Sequence, residues 1–432
     1  MTSWKTIPAD GYDVAVVGGG AAGMTAAIAA ARTGARVAVL ERNDRPGKKI
    51  LMTGNGKCNL GNRDLKPSYY YSDNLAMAAS VLERFGTEET IAFFASLGLM
   101  VRERRGYLYP VSEQAAVVLD VLRYGMERES VIVWPQAYVQ EIKRFRENKD
   151  GQSYILKLQN GNRVQAGQVV LACGGQAAPK TGSDGNGYDL ARSMGHHVAA
   201  PVPSLVQLHC SEKYCKALAG VRVEGTVRIS CDGEDSSFQN DICQETGEIQ
   251  LTEYGISGIP VFQLSGQVNQ LLAQGRKLRA ELDFFPQYEE GAYRQLCRQR
   301  LGSLENQTVE SFFTGMLHKK IMGVCIRQAG LSPDQKADKA EEDRLWQVFS
   351  LCRRLPFTIT GSHPFDSAQV CRGGVSMQEV DEQLQSRLSP GLYLAGEILD
   401  VDGRCGGYNL QWAWASGYIA GRGAGSACQM NG

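Results

Sequence analysis

The first clear hydrophobic pattern is "YDVAVV" at 12–17, a short valine-rich run without helical spacing, which predicts a buried strand. "GGGAAG" follows directly and runs into an alanine-rich stretch that ends near Thr33 and Gly34, which reads as a helix. "ARVAVLE" at 35–41 is a second apolar run, so the segment predicts a strand–helix–strand unit with parallel strands. Helical patterns follow around 74–86, 88–97 and 113–129. "SYILKLQNGNRVQAGQVVLACGG" then predicts two strands joined at Asn-Gly and a buried strand ending at Ala172.

After one more short helix in "GNGYDLARSMGHH", residues 198–255 alternate as strands do, most clearly in "VRVEGTVRIS". Residues 258–350 read mainly as helix, with "KLRAELDF" as a strand among them and "DQKADKAEEDRLWQ" as a solvated helix face. Near 391 the opening theme returns: "GLYLAGE" is a short apolar strand ending in glycine, and "GGYNLQWAWASGYIAGRGAG" starts a helix. The predicted architecture is α/β. A Rossmann-like nucleotide-binding domain is built from both chain ends, 1–197 and 355–432, around a β-rich insertion at 198–257 and a mainly helical one at 258–354.

Composition narrows the function. Of 432 residues, 46 are Lys or Arg and 46 are Asp or Glu, so no charge excess points to nucleic acid or to a membrane surface. The opening "MTSWKTIPADGYDV" lacks the apolar core of a signal peptide, and the alanine-rich run "MTAAIAAARTG" is broken by Arg32, too short to span a bilayer. Twelve cysteines carry no CxxC pair and no metal-ligand spacing, as expected of reduced thiols in a cytoplasm and of a chain without a metal site. Oligomeric state leaves no mark on the sequence.

Gly18, Gly20 and Gly23 satisfy GxGxxG between a predicted strand and a helix. The first glycine permits the tight turn, the second admits a pyrophosphate against bare backbone, and the third lets helix and strand pack closely. The helix N-terminus favours the anion. Glu41 ends the second strand, where an acid accepts ribose hydroxyls. A structural glycine turn is the competing reading; strand, helix and terminal acid together favour a dinucleotide. An acid at 41 repels a ribose phosphate, which disfavours NADP there and leaves NAD or the adenosine half of FAD.

The C-terminal segment favours a flavin. Glu397, Asp400 and Asp402 follow a strand end within reach of ribityl hydroxyls, and Gly406 and Gly407 expose the N–H groups of a new helix. A helix N-terminus suits the pyrimidine edge of a flavin, where negative charge collects on reduction. Gly23, Ala27 and Ala31 leave one face of the first helix nearly bare, and Ala413, Gly417, Gly421 and Gly425 do the same for the last. Such faces predict two helices lying side by side. "LMTGNGKCN" at 51–59 looks like an anion cradle, yet Leu51 stands where a Walker A loop needs glycine and Cys58 where it needs Ser or Thr.

On "DVAVVGGGAAG", "GKKILMTGNGKCN", "ACGGQAAPKTGSDGNGYDLA", "LTEYGISGIPV", "AQVCRGGVS" and "LYLAGEILDVDGRCGGYNLQWAWASGYIAG", the chain resembles, nearly end to end, the BaiN/RdsA-type FAD-dependent oxidoreductases, relatives of the glutathione-reductase-like flavoproteins. The resemblance implies an FAD domain from both termini plus two inserted domains. It assigns Gly18, Gly20, Ala21, Ala22, Gly23, Glu41 and Arg42 to the adenosine half and its phosphates, with Lys48 or Lys49 near the pyrophosphate. Thr53, Gly54, Asn55, Gly56, Cys58 and Asn59 would run along the flavin. Gly174 and Gly175 would pass near the nucleotide; Gly396, Glu397, Asp402, Gly407, Tyr408, Asn409 and Leu410 would complete the flavin site.

Members of that family imply two reactions on small molecules. One is NAD(P)H-dependent reduction of a carbon–carbon double bond conjugated to a ketone in a bile-acid-like substrate, the favoured expectation. The other is oxidation of a small amine such as aminoacetone. A flavin-bound redox sensor or assembly protein is the alternative of another class. No second strand–GxGxxG–helix unit is present, since "GSDGNG" at 182 has the wrong spacing; NADH or NADPH is therefore expected as a transient co-substrate. Disulfide reduction is disfavoured, because Cys210 and Cys215 lie far from the cofactor motifs and Cys58 stands alone in its loop, where it reads as a small buried thiol. For the acid that protonates substrate carbon the candidates are Tyr254, His363 and Tyr408, with no single choice among them.

Overall fold

The computed structural model describes residues 11–147, 151–231 and 243–429. The first ten residues, and with them most of the opening stretch expected to lack a signal peptide core, lie outside the described residues. The chain divides into two compact units, residues 1–202 with 369–432, and residues 203–368.

The first unit is organised by a sheet whose parallel core runs Ile132–Trp134, Val37–Leu40, Tyr12–Val17, Arg163–Leu171. The last of these is shared. Tyr12–Val17 pairs along one edge, while the other edge is divided between the antiparallel strand Gly151–Leu158 and the parallel strand Leu392–Leu394. Residues 14–17 and 37–40 are almost fully buried, which is why they read as unbroken apolar runs rather than as alternation.

Register then fixes one edge of the sheet. Leu40 and Leu171 both pair with Val17, and Leu394 pairs with Leu171. Gly18, Glu41, Ala172 and Ala395 therefore leave the sheet at a common carboxyl edge, where open α/β sheets bind ligands.

Two helices cover the core of that sheet, and their contact is made of glycine. The first helix, Ala21–Ala31, lies against the C-terminal helix, Tyr408–Gln429. A Cβ added at Gly417 would stand 2.4 Å from the carbonyl oxygen of Ala22, and one at Gly421 2.2 Å from that of Ala26. The two bare faces expected from the sequence do meet, backbone to backbone. The helices expected around 74–86, 88–97 and 113–129 form as Leu75–Arg84, Thr87–Ser96 and Ala115–Arg128.

The second unit contains a closed antiparallel barrel in the order Leu208–Cys210, Gly255–Gly258, Cys243–Thr252, Arg222–Cys231, Leu278–Asp283, Leu355–Ser362. Closure removes the sheet edges that would otherwise be exposed. Inward residues pair across strands, as in Val227 with Leu282 and Ile229 with Ala280. Helices between 259 and 351 pack against the barrel strands and one another in one hydrophobic cluster. "KLRAELDF", expected as a strand within a helical region, is the barrel strand Leu278–Asp283. No helix among the described residues is long and apolar enough to cross a membrane.

Candidate functional site

The three glycines of the first motif do three different things. Gly18 has φ +99°, and a Cβ on it would lie 2.6 Å from the Ala172 carbonyl oxygen, so this turn is tight and closely packed. A Cβ on Gly23 would fall 1.8 Å from the Gly18 carbonyl oxygen, so the helix can return over its own turn only without a side chain. Gly20 differs: nothing lies within 4 Å of an added Cβ. That is open space at the helix N-terminus, flanked by Ala21 and Ala22, where bare N–H groups can meet an anion. The cradle fits the pyrophosphate of a dinucleotide.

Glu41 is buried at the end of its strand. One carboxylate oxygen accepts from the Gly19 N–H at 2.9 Å, and the other from the Asn43 N–H and side-chain amide at 2.7 and 2.8 Å. These donors hold the carboxylate rigidly and leave it acceptor capacity for hydroxyls. Arg42 is already committed: it pairs with Asp184 at 2.5 Å and stacks over Tyr138 at 4.8 Å. The two adjacent lysines divide. Lys48 pairs with Asp44 at 2.8 Å, whereas Lys49 reaches across the fold to Glu397 at 2.6 Å.

The "TGNGKC" segment contains a run of left-handed backbone: Gly54, Asn55 and Gly56 at φ +56°, +53° and +82°, then Cys58 at +57°. Thr53 caps the preceding turn by donating to the Ile50 carbonyl at 2.6 Å. Residues 51–57 stay largely exposed while Cys58 is fully buried, and burial pushes its thiol up to about 12. A thiol of that kind is not nucleophilic at neutral pH, which agrees with a packing role. Asn59 is buried beside Gly407, its side-chain oxygen without a hydrogen-bond partner.

The tail closes on this loop. A Cβ on Gly407 would lie 2.8 Å from the Gly61 backbone carbonyl, Asn62 donates to the Gly406 carbonyl, and the Trp414 indole donates to the Leu60 carbonyl at 2.9 Å. Gly396 has φ +79°, and its would-be Cβ meets Ala22 at 2.8 Å. Its N–H donates to Ser416, and its carbonyl accepts from Trp412. Glu397 also accepts from the Cys371 N–H at 2.9 Å. Gly174 and Gly175 run beside the same carboxylate, close to Ser183 and Tyr188. Asn409 clamps the Gly403 peptide through both its amide atoms, and Leu410 packs half-buried against the core.

Asp402 is buried in a two-bond pair with Arg372 at 3.0 and 3.2 Å, and Arg372 stacks over Tyr71 at 4.2 Å. Next to it, Asp400 accepts from the Gly373 N–H at 3.1 Å. Burial, together with the charges of Asp73 and Asp402, lifts the Asp400 carboxyl to about 6.

The three candidate acids separate. Tyr408 is an anchor: its hydroxyl donates to the Asp64 carbonyl at 3.0 Å, its own carbonyl accepts from Tyr70, and burial raises its phenol to about 12. Tyr254 and His363 lie together in the second unit, ring centroids 4.6 Å apart, and a third ring, His209, joins them. Sequence reasoning missed His209, whose only signal was its place in the apolar "LVQLHC" run. It also left Arg372, Trp412, Trp414 and Ser416 without roles; Arg372 stood in a quoted motif, but its partner lies thirty positions on. Among the described residues, no group of three or more His, Cys, Asp and Glu side chains is placed to hold a metal ion.

The family described as HI0933-like protein Rossmann domain matches the chain over residues 12–423. The chain is 41% identical over 414 residues to a 3-dehydro-bile acid delta(4,6)-reductase of Clostridium scindens, covering 95% of this chain and 98% of that protein. It is 28% identical over 407 residues to a ribosomal RNA dihydrouridine synthase of Haemophilus influenzae, covering 93% and 96%. The synthase of the same description from Escherichia coli is 28% identical over 418 residues, covering 94% and 96%.

Proposed function

The chain belongs to the HI0933-like Rossmann family, and from that premise we propose that this FAD-dependent oxidoreductase saturates a carbon–carbon double bond conjugated to a ketone, with a hydride drawn from NADH or NADPH and a proton drawn from solvent. The observation that carries the reading is the 41% identity, over almost the full length of both chains, to a delta(4,6)-reductase of 3-dehydro bile acids. The more distant relatives point to the same reaction type. Making dihydrouridine also saturates a double bond polarised by a carbonyl. A steroid-like enone is favoured over a nucleic acid as substrate because cationic and anionic side chains balance at 46 each, without the excess that phosphate backbones attract.

The residues at the sheet edge divide the work of holding the cofactor. The Gly20 cradle and the first helix would take the pyrophosphate, and Glu41, preset by Gly19 and Asn43, the adenosine ribose. Glu397 would accept from ribityl hydroxyls, with Lys49 beside it as a counter-charge. Residues 53–56 and the N-terminus of the helix at Tyr408 would border the ring. When bound, FAD supplies the hydride chemistry, and the protein selects what meets it.

The test is anaerobic. FAD-loaded protein should bleach with NADH or NADPH and recover its yellow colour on addition of a 3-oxo-Δ4 steroid, with one saturated product per flavin. Recovery with uridine-containing RNA but with no enone would transfer the reading to the rRNA-modifying relatives. Peroxide formed from aminoacetone in a parallel assay under air, without anaerobic bleaching by either nicotinamide, would replace it with amine oxidation.

A further inference from the structure

Beside Gly174 and Gly175, in the first unit, stands a hydroxyl with nothing to bond. Tyr188 lies in the short helix Asn186–Ser193, is 2% exposed, and its hydroxyl has no hydrogen-bond partner. The other buried tyrosines described in the same unit are all committed. Tyr70, Tyr154 and Tyr408 donate to backbone carbonyls, Tyr12 accepts from Trp134, and Tyr393 accepts from Gln385. A buried hydroxyl left unpaired forgoes the bonds it would make to water, so an orphan of this kind at a ligand edge calls for an acceptor.

The nearest acceptor of the right kind is Glu397. A Cβ on Gly175 would lie 3.0 Å from the Tyr188 hydroxyl and 3.1 Å from Glu397 Oε1, so phenol and carboxylate both border the space that a side chain there would fill. The helix has no slack to let the ring shift away. A Cβ on Gly187 would stand 2.6 Å from the Cys173 Cβ and 3.1 Å from the Ile398 Cδ1. Glu397 is held by Lys49 on one oxygen at 2.6 Å and by the Cys371 N–H on the other at 2.9 Å. Burial, and then the neighbouring Cys371, Glu397 and Asp400, push the Tyr188 phenol well above its ordinary range, so it keeps its proton and stays a donor.

We propose that Tyr188 is a positioning residue for FAD: when the cofactor binds, its hydroxyl donates to Glu397 and fixes the carboxylate that receives the ribityl hydroxyls. The proposal rests on the assignment of Glu397 to the ribityl chain in the reading above, and it is independent of the substrate. The phosphates of the dinucleotide compete with Glu397 for Lys49, and the phenol replaces the donor that the carboxylate then loses. The bond satisfies a hydroxyl that is otherwise orphaned, so its effect falls on cofactor affinity and not on the stability of the free protein.

The experiment reads stability and affinity side by side. Tyr188→Phe removes only the hydroxyl, so the apoprotein should melt no lower than wild type, while FAD, titrated by flavin fluorescence, should bind at least about tenfold more weakly, the scale of one hydrogen bond to a charged acceptor. Tyr154→Phe is the contrast. Its hydroxyl donates to the Pro390 carbonyl at 2.7 Å, so that variant should melt lower and bind FAD as wild type does. Glu397→Gln should weaken FAD binding, and adding Tyr188→Phe to it should weaken it little further, because the two act as one unit. A Tyr188→Phe protein with wild-type affinity overturns the positioning role, and so does one whose weaker binding comes with a lower melting temperature or persists undiminished beside Gln at 397. If Glu397→Gln alone binds FAD as tightly as wild type, the ribityl assignment falls and the role of Tyr188 with it. The reductase reading is tested separately, by reoxidation of the loaded wild-type protein with an enone.

Discussion

Gly417→Ala tests how the first helix is held at the cofactor edge. The added methyl would lie 2.4 Å from the Ala22 carbonyl oxygen and 3.0 Å from its Cα, both backbone atoms that no rotamer change can move. Carbon and oxygen rest at about 3.3–3.6 Å, so the helices must part by about 1 Å. Overpacking against backbone that cannot yield falls in the upper part of its usual range, at about 2–3 kcal/mol, and the better helix propensity of alanine returns about 1 kcal/mol. A net loss of about 1–2 kcal/mol lowers the melting temperature by about 2–8 °C. Ala22 belongs to the first turn of the helix that begins at the Gly20 cradle, so where the free protein relieves the strain by shifting that turn and FAD binding must restore it, FAD should also bind about 5–30-fold more weakly. Thermal unfolding of the apoprotein and fluorescence titration with FAD measure the two effects. Gly291→Ala is the control: it sits in the exposed helix Glu290–Leu301 with nothing within 4 Å of an added Cβ, and should be neutral or slightly stabilising. A Gly417→Ala protein as stable as wild type and as tight for FAD refutes the backbone-to-backbone contact.

Gly20→Val should fold with an unchanged melting temperature, because its φ of −78° is open to any residue, yet it should purify colourless because the side chain fills the cradle. Arg372→Met breaks the two-bond pair with the buried Asp402 carboxylate and should cost up to about 3–5 kcal/mol in urea unfolding; adding Asp402→Asn should restore part of it. For Asp400 the folded carboxyl, raised from 3.8 to about 6, binds more protons than the unfolded one between those values. Stability contributed by this group is therefore greatest below pH 4 and is lost as pH rises to about 6, by up to about 3 kcal/mol. Asp400→Asn, which can still accept from the Gly373 N–H, should be more stable than wild type at pH 7 and no more stable at pH 4, as read from denaturant midpoints.

What the sequence determined by itself is local. The buried strand at 12–17, the three glycines after it and Glu41 at the next strand end are specified within thirty positions, because a tight turn, a bare helix N-terminus and a strand period are properties of neighbouring residues. The bare helix faces were legible for the same reason, and even their meeting could be expected, since a stripe of glycine has little use except close approach. Pairings across long stretches of chain were decided only by the tertiary structure. Lys49 was visible as a cation and Glu397 as an acid, but 348 positions separate them, and only the shared edge of four parallel strands brings them to 2.6 Å. Arg372 with Asp402 is the same case at shorter range. Tyr254 and His363 were candidates without a reason to be together; the register of a closed barrel, which pairs His209 with Gly255 on one side and Gly361 on the other, set them around His209. Local sequence selects the conformation of each segment, whereas strand register selects which distant side chains meet, and that choice depends on packing the whole core at once.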